Sequence, residues 1–362
     1  MDIKRIARPE IVAMKPYVSA RNSAAADGIL LNANEAPDNH VGDPEGLRLS
    51  LNRYPHPQPI ALKNRLAELY GVSGDKLLIT RGSDEGIDLL TRVFCRPGQD
   101  AIVECSPCFG MYRIAATIQG AQIIDVPRQA ENGFLIDFEK LEDAIHQTKG
   151  VRLVFLTSPN NPTGDLISTN QLVSILKVAE DKALVVLDEA YIEFCTASSA
   201  KDLVEKWPQL VVLRTLSKAW AAAGARCGVV IADPEVIGLL QRIIAPYPLA
   251  APAIDAALKA ISVQNQGRQQ SFVESIRQSR LDLRDFLQTC NWVKQTWQSE
   301  ANFILVRVTD ADGLVNWCAQ QGIRIRNFSS QAQLEGCVRL TIGSNEELHA
   351  LKSALRAYGE QA

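Results

Sequence analysis

No run in this chain reaches the roughly 18 uninterrupted apolar residues of a membrane-spanning helix. Its opening stretch, MDIKRIARPEIVAMKPYVSARN, also has no apolar core of signal-peptide length. An excess of either charge is missing too: 38 Lys and Arg face 41 Asp and Glu, a net charge of −3. That balance argues against nucleic acid or an anionic membrane as main partner, while leaving room for a local basic pocket that takes a small anion. The eight cysteines, at 95, 105, 108, 195, 227, 290, 318 and 337, include one near pair, Cys105 and Cys108, and no second pair at metal-site spacing. A metal is therefore not expected, and the thiols read as reduced and mostly buried in a cytoplasmic protein. There is no internal repeat, and RGSDEG lacks the G-x-G-x-x-G spacing of a dinucleotide fold.

What is present is an ordinary globular composition, 46% apolar and 22% charged over 362 residues, long enough for two domains. From about residue 75, short apolar runs alternate with amphipathic segments. KLLIT, DAIVE, AQIIDVP, VRLVFLT, ALVVLDEA, LVVLRT and CGVVIAD read as strands. SDEGIDLLTRVFC, FGMYRIAATIQ, STNQLVSILKVAEDK and PEVIGLLQRII read as helices. This alternation implies an α/β fold with a mainly parallel sheet covered by helices on both faces. The proline-rich IAPYPLAAPAI near residue 246 interrupts the pattern. Beyond it the sequence predicts a long helical region to about 289, then strands at ANFILVRV, IRIRN and CVRLTI, each of the last two preceding or following helical pattern. Ser344 and Glu347 stand at capping-box spacing before the last helix. The expected organisation is an irregular amino-terminal arm (1–40) lying across another surface, a large α/β domain (41–250) and a smaller α+β domain (251–362).

Ligands of open α/β sheets bind beyond the carboxyl ends of the strands, and polar residues cluster at several predicted strand ends. RGSDEG follows the first strand, where a glycine turn and a helix N-terminus suit a phosphate through Gly82 and Ser83; alone, it is also an ordinary capped turn. Asp188 ends a buried apolar strand and needs a cation or hydrogen-bond donors, and Tyr191 lies three residues on. SPNNPTG places Asn161 in a tight loop after another strand. LRTLSKAW sets Ser217 and Lys218 at a strand exit among apolar neighbours, with Arg226 eight residues after Lys218. Partial burial and a neighbouring cation lower a lysine's pKa and favour the free amine, which can form a Schiff base with an aldehyde. Together these supply a phosphate cradle, a carboxylate for a protonated ring nitrogen, a phenol, an amide and a nucleophilic amine. That set matches what pyridoxal 5′-phosphate requires.

SPNNPTG, DEAY, TLSKAW with GARCG, and VRLTIG, in this order, resemble the fold-type I pyridoxal-phosphate aminotransferases. LNANEAP, LNRYPHPQP, RGSDEGI, EAYIEFC and IAPYPL add a closer resemblance to the branch of that family acting on histidinol phosphate. The likeness spans essentially the whole chain. It implies that Lys218 bonds the cofactor aldehyde and later shuttles the proton, that Asp188 pairs with the ring nitrogen, and that Tyr191 and Asn161 hold the ring's phenolic oxygen. It implies that Ser83, Asp84, Ser217 and Arg226 bind the cofactor phosphate, and that Tyr54 reaches the phosphate of a partner subunit, hence a homodimer with shared active sites. Arg339 is implied to bind the glutamate carboxylate and the phosphate of histidinol phosphate, with Arg326 as a second phosphate arginine; Arg324 shares its strand face. Tyr17 and Asn34 match residues that close over the substrate. Phe109, in CFGMY, stands where the family commonly stacks a tyrosine on the cofactor ring, and the residue following Arg326 in a usual LRDR-like string is changed to Asn327. The activity implied is ping-pong transamination between glutamate/2-oxoglutarate and imidazole acetol phosphate/histidinol phosphate. Aromatic aminotransferases and decarboxylases of phosphorylated amino acids share nearly all of these cofactor residues and remain open at this point. An effector-binding regulator on the same fold would need a DNA-binding segment ahead of the arm.

Overall fold

Strands that are apolar along most of their length need cover on both faces, and such runs build the larger of two sheets, all but its edge strand β3 being buried nearly throughout. A computed structural model of the chain describes residues 1–17, 31–37 and 51–360. The large sheet contains β1 (Leu77–Thr80), β2 (Ala101–Glu104), β3 (Gln122–Asp125), β4 (Val151–Thr157), β5 (Leu184–Asp188), β6 (Leu210–Thr215) and β7 (Gly228–Ile231), in the order β1-β7-β6-β5-β4-β2-β3. The helices are α1 (Ile3–Ile6), α2 (Pro9–Ala13), α3 (Ile60–Tyr70), α4 (Ser83–Phe94), α5 (Met111–Gln119), α6 (Phe138–Gln147), α7 (Thr169–Ala179), α8 (Pro234–Gln241), α9 (Ala251–Ala260), α10 (Val263–Gln288), α11 (Ala311–Gln320) and α12 (Asn345–Gly359). Side chains two apart share a face. Leu77 and Ile79, Val185 and Leu187, and Leu210 and Val212 join one core with Leu62 and Leu66 of α3 and Leu172 and Ile175 of α7. Leu78, Leu184, Val186, Val211 and Leu213 face the other, against Ile87, Leu90 and Phe94 of α4 and Val236 and Leu240 of α8. Each fully buried leucine contributes about 1.5–3 kcal/mol relative to exposure, so a register slip in any of these strands is strongly disfavoured.

One strand breaks the parallel rule. β7 runs antiparallel to both β6 and β1, because the loop 216–227 holds no crossover helix of the kind a parallel return requires. The consequence for function is direct: the start of β7 lies at the exits of its neighbours, with Gly228 opposite both Thr80 and Thr215.

The smaller sheet is β10-β11-β9-β8, formed by β8 (Val293–Thr296), β9 (Phe303–Val308), β10 (Arg326–Asn327) and β11 (Cys337–Thr341), all pairs antiparallel. Its core, with Leu283 and Leu287 of α10 and Leu351 and Leu355 of α12, also takes in Ala190, Tyr191 and Ala219 from the large sheet's exit loops. Among the described residues no helix is long and apolar enough to cross a membrane.

Three sequence expectations change. The first residues are not irregular: α1 and α2 are helical, and Ile3, Ile6 and Ile11 are buried on the same chain's α4 and α8 core. Asp2 caps α1 by accepting from Lys4 N at 3.0 Å, and Arg242 Nη1 ties the end of α2 by donating to Met14 O at 2.9 Å. The long helical region is two helices, parted at Ile261 and Ser262. IRIRN contributes only two paired residues, since β10 is an edge with a single neighbour.

Candidate active site

The site begins where three chain segments are forced together. Gly82, with φ +77°, turns the chain from β1 into α4, and a Cβ there would stand 2.8 Å from Arg226 Nη2. A Cβ on Gly228 would meet the Gly82 carbonyl carbon at 2.5 Å and Ser83 N at 2.6 Å. Only glycine permits this approach, which sets the N-terminus of α4 beside the β6–β7 loop. Ser217 leaves β6, its N–H donating to Thr215 Oγ1 at 3.1 Å. Arg226 takes a left-handed backbone, φ +51°, and its guanidinium returns to the same spot, reaching Ser217 Oγ at 3.5 Å and Asp84 Oδ2 at 3.1 Å. A helix N-terminus, a hydroxyl and a guanidinium facing one point make an anion cradle.

Below the cradle lies a cavity of about 160 Å³ lined by Ser83, Asp84, Phe109, Asn161, Asp188, Tyr191, Ser217, Lys218 and Arg226, together with Thr157, Thr215 and Ala190. Lys218 is half-buried, and among the described residues its amine makes neither hydrogen bond nor ion pair; Nζ stands 5.7 Å from the centre of the Tyr191 ring. Burial pushes its pKa down from the ordinary lysine value, and the positive charge of Arg339 adds to that. Asp188, lining the same cavity, is 3% exposed. Its carboxylate accepts from Tyr112 OH at 2.9 Å and from Ala190 N at 3.0 Å. These neutral donors do not offset the lost hydration, and burial lifts its pKa to about 6.

A second wall comes from the SPNNPTG loop and the small sheet. Asn161 Nδ2 donates to Tyr191 OH at 3.5 Å, and Asn161 Oδ1 accepts from Arg339 Nη1. Tyr191 is buried, its pKa pushed up to about 12 by desolvation, so the phenol stays protonated. Arg339 lies 5.0 Å from the Phe303 ring centre and 5.4 Å from that of Phe328, and its Nε is buried without a partner among the described residues. Directly opposite on β10 is Arg326, itself 5.8 Å from the centre of the Phe328 ring. Like charges facing across a strand pair are destabilising and are reconciled by an anion between them. Arg324 is committed elsewhere, donating to Ala319 O at 2.8 Å, which separates it from Arg326.

Comparison with known proteins bears on what such a site does. A family model, "Aminotransferase class I and II", matches residues 26–355. This chain belongs to that family. It is 41% identical to a histidinol-phosphate aminotransferase of Pectobacterium carotovorum over 98% of each chain. The aminotransferase fold recurs in the histidinol-phosphate aminotransferase structure from Clostridium acetobutylicum, with a TM-score of 0.78 at 23% identity, covering 86% of this chain and 92% of that one. It recurs also in the Sinorhizobium meliloti histidinol-phosphate aminotransferase solved with pyridoxal-5′-phosphate, with a TM-score of 0.77 at 23% identity, covering 85% and 83%.

In this aminotransferase, nine of the expected site residues line one cavity, and Arg339 joins them through Asn161. Asp84 differs from expectation in kind: a carboxylate has no proton for a phosphate, and its side chain pairs with Arg226 instead, which makes it an aligner of that guanidinium. Tyr54, Asn34 and Tyr17 do not line the Lys218 cavity of their own chain. Tyr54 stacks on Tyr247 with ring centres 4.4 Å apart and borders a separate hollow with Asn34, while Tyr17 is exposed beside His56 and Arg242. Phe109 does line the cavity, edge-on to Tyr112 at 5.8 Å. Sequence reasoning missed Tyr112 and Thr157. Tyr112 sits in the first turn of α5 on its buried face, and only the fold shows that its hydroxyl meets Asp188.

Proposed function

We propose that this chain transfers an amino group reversibly between L-glutamate/2-oxoglutarate and imidazole acetol phosphate/L-histidinol phosphate, with pyridoxal 5′-phosphate as cofactor. The residues fit that group. Among the described residues the buried Asp188 has no ion-pair partner and suits a protonated ring nitrogen, the glycine-lined cradle suits a phosphate, and the Lys218 amine, without a hydrogen-bond partner there, lines the same cavity. The single observation that carries the chemistry is that juxtaposition of Lys218, Asp188 and the Ser217–Arg226 cradle; the near full-length likeness to a histidinol-phosphate enzyme supports the substrate.

Bound pyridoxal phosphate supplies an electron sink that acidifies the adjoining C–H of an amino acid. Lys218 Nζ, its pKa lowered by burial and by Arg339, takes up that proton and returns it. Asp188 holds its negative charge opposite the ring nitrogen. Ser83, Ser217 and Arg226 receive the cofactor phosphate, with Asp84 aligning Arg226, and Phe109 offers its face to the ring. Tyr191 OH and Asn161 Nδ2 donate to a ring oxyanion. Arg339 and Arg326, two guanidiniums on facing strands, receive the substrate's carboxylate or phosphate, which lets one site serve both half-reactions. Tyr17 and Asn34 close over the substrate, and Tyr54 completes the cradle of a second copy in a homodimer. The enzyme works in the cytoplasm, with residues 1–40 as arm, 41–250 as cofactor domain and 251–362 as the small domain.

Purified protein supplied with pyridoxal phosphate and tested in parallel on imidazole acetol phosphate, phenylpyruvate and threonine phosphate checks this. Imidazole acetol phosphate is expected to exceed the others in kcat/KM by about 100-fold, since phenylpyruvate lacks the phosphate that the paired guanidiniums receive and threonine phosphate lacks the imidazole. Equal or better efficiency on either competitor would overturn the substrate. Lys218→Ala is the control, expected to lose turnover and the visible absorbance of lysine-bound cofactor while the fold is retained.

A further inference from the structure

The environment of Asp188 contains a hydrogen-bond arrangement that the roles above do not use. Tyr112 is fully buried on α5, its ring stacked on Phe155 with centres 4.8 Å apart and planes 7° from parallel. Its hydroxyl donates to Asp188 Oδ2 at 2.9 Å and lies 2.8 Å from Thr157 Oγ1. A phenol carries one proton. Because that proton goes to Asp188, the Thr157 hydroxyl must donate to the Tyr112 oxygen. Thr157 and Asp188 are cross-strand neighbours at the ends of β4 and β5, so the two strand exits and α5 are joined in one direction. The other Asp188 oxygen is fixed by Ala190 N at 3.0 Å.

We propose that Thr157, Tyr112 and Asp188 form a directed hydrogen-bond relay in which Thr157 and Tyr112 are positioning residues, holding the Asp188 carboxylate in one orientation and in its charged form. The relay rests on the assignment of Asp188 to a cofactor ring nitrogen. Each donor in the chain polarises the next, and the carboxylate that would face the cation is stiffened at both oxygens. The other groups acting on Asp188 are Asp84 from α4, which opposes its charge, and Lys218 from the β6–β7 loop, which favours it. Tyr112 itself is influenced by Cys108 besides Asp188.

The test follows two signals in the full-length protein. The first is the ¹³C carboxyl resonance of Asp188 without cofactor, assigned by its loss in Asp188→Asn. The second is the ring-nitrogen resonance of bound ¹⁵N-pyridoxal phosphate. Tyr112→Phe keeps the ring stacked on Phe155 and removes only the hydroxyl. It is expected to raise the Asp188 midpoint by about one pH unit, the scale of one lost hydrogen bond to a charged group, and to move the ring nitrogen toward its unprotonated shift. Thr157→Val shifts both in the same direction by less, and Thr157→Ser restores them. Coincident titrations of wild type and Tyr112→Phe overturn the relay, as does Thr157→Ser behaving like Thr157→Val. Failure of the wild type to take up pyridoxal phosphate would instead count against the cofactor assignment, and the Asp188 titration would still judge the relay.

Discussion

Asp188 shows how one residue can cost stability for the sake of a ligand. Its folded-state pKa is about 6, above the roughly 3.9 of an unfolded aspartate. Below that unfolded value both states are protonated and burial carries no charge penalty. As pH rises through the folded value the native state must ionise a buried group, and stability on the order of 3 kcal/mol is lost. Asp188→Asn is therefore expected to gain stability over wild type in the cofactor-free protein, the difference opening between about pH 4 and 6 and levelling above. Urea titrations of both proteins across that range check it; parallel curves at every pH would contradict the uncompensated burial. Cofactor affinity is expected to fall in the same variant. Sequence order alone singled out Asp188, because a carboxylate ending an apolar strand demands a partner. It did not reveal Tyr112, whose hydroxyl reaches Asp188 across 76 residues of sequence.

At the level of elements, local chemistry was easy to read where it is local. Ser344 caps α12 with reciprocal bonds to Glu347, and Ser168 does the same for α7 with Gln171. Ser344→Ala is expected to lower stability by about 1 kcal/mol while leaving cofactor binding unchanged, measurable by urea denaturation beside an absorbance titration. Six strands of the large sheet were likewise legible as buried, mostly apolar runs, and β3, exposed at Gln122 and Asp125, was legible from its two isoleucines. β8 was not: VKQT is half-exposed and polar, and it is a strand only because β9 pairs with it. The reversal of β7 was equally hidden. CGVVIAD reads the same in either direction, and its sense was decided by a loop too compact to hold a crossover helix.

For the whole molecule, the proposed sharing of sites between copies makes a quantitative expectation. Lys218→Ala and Tyr54→Ala each damage every site of a homodimer. A mixed dimer places both lesions in one site and leaves the other intact. Co-expression should then restore about a quarter of wild-type activity, from half the dimers with one good site each. Recovery no greater than the sum of the separate variants would remove Tyr54 from the partner's site.

By itself the sequence determined the strand and helix pattern of the large sheet, the amine, carboxylate, amide and guanidinium proposed to carry the chemistry, and their places at strand ends. Such features follow from neighbours a few residues apart. Only the tertiary structure decided that Gly82, Ser217 and Arg226 converge, that Asp84 serves Arg226, that Arg326 rather than Arg324 faces Arg339, and that Tyr112 and Thr157 stand behind Asp188. Each of these depends on strand direction and register, which arise when distant apolar faces bury one another and so leave no trace in any short stretch of chain.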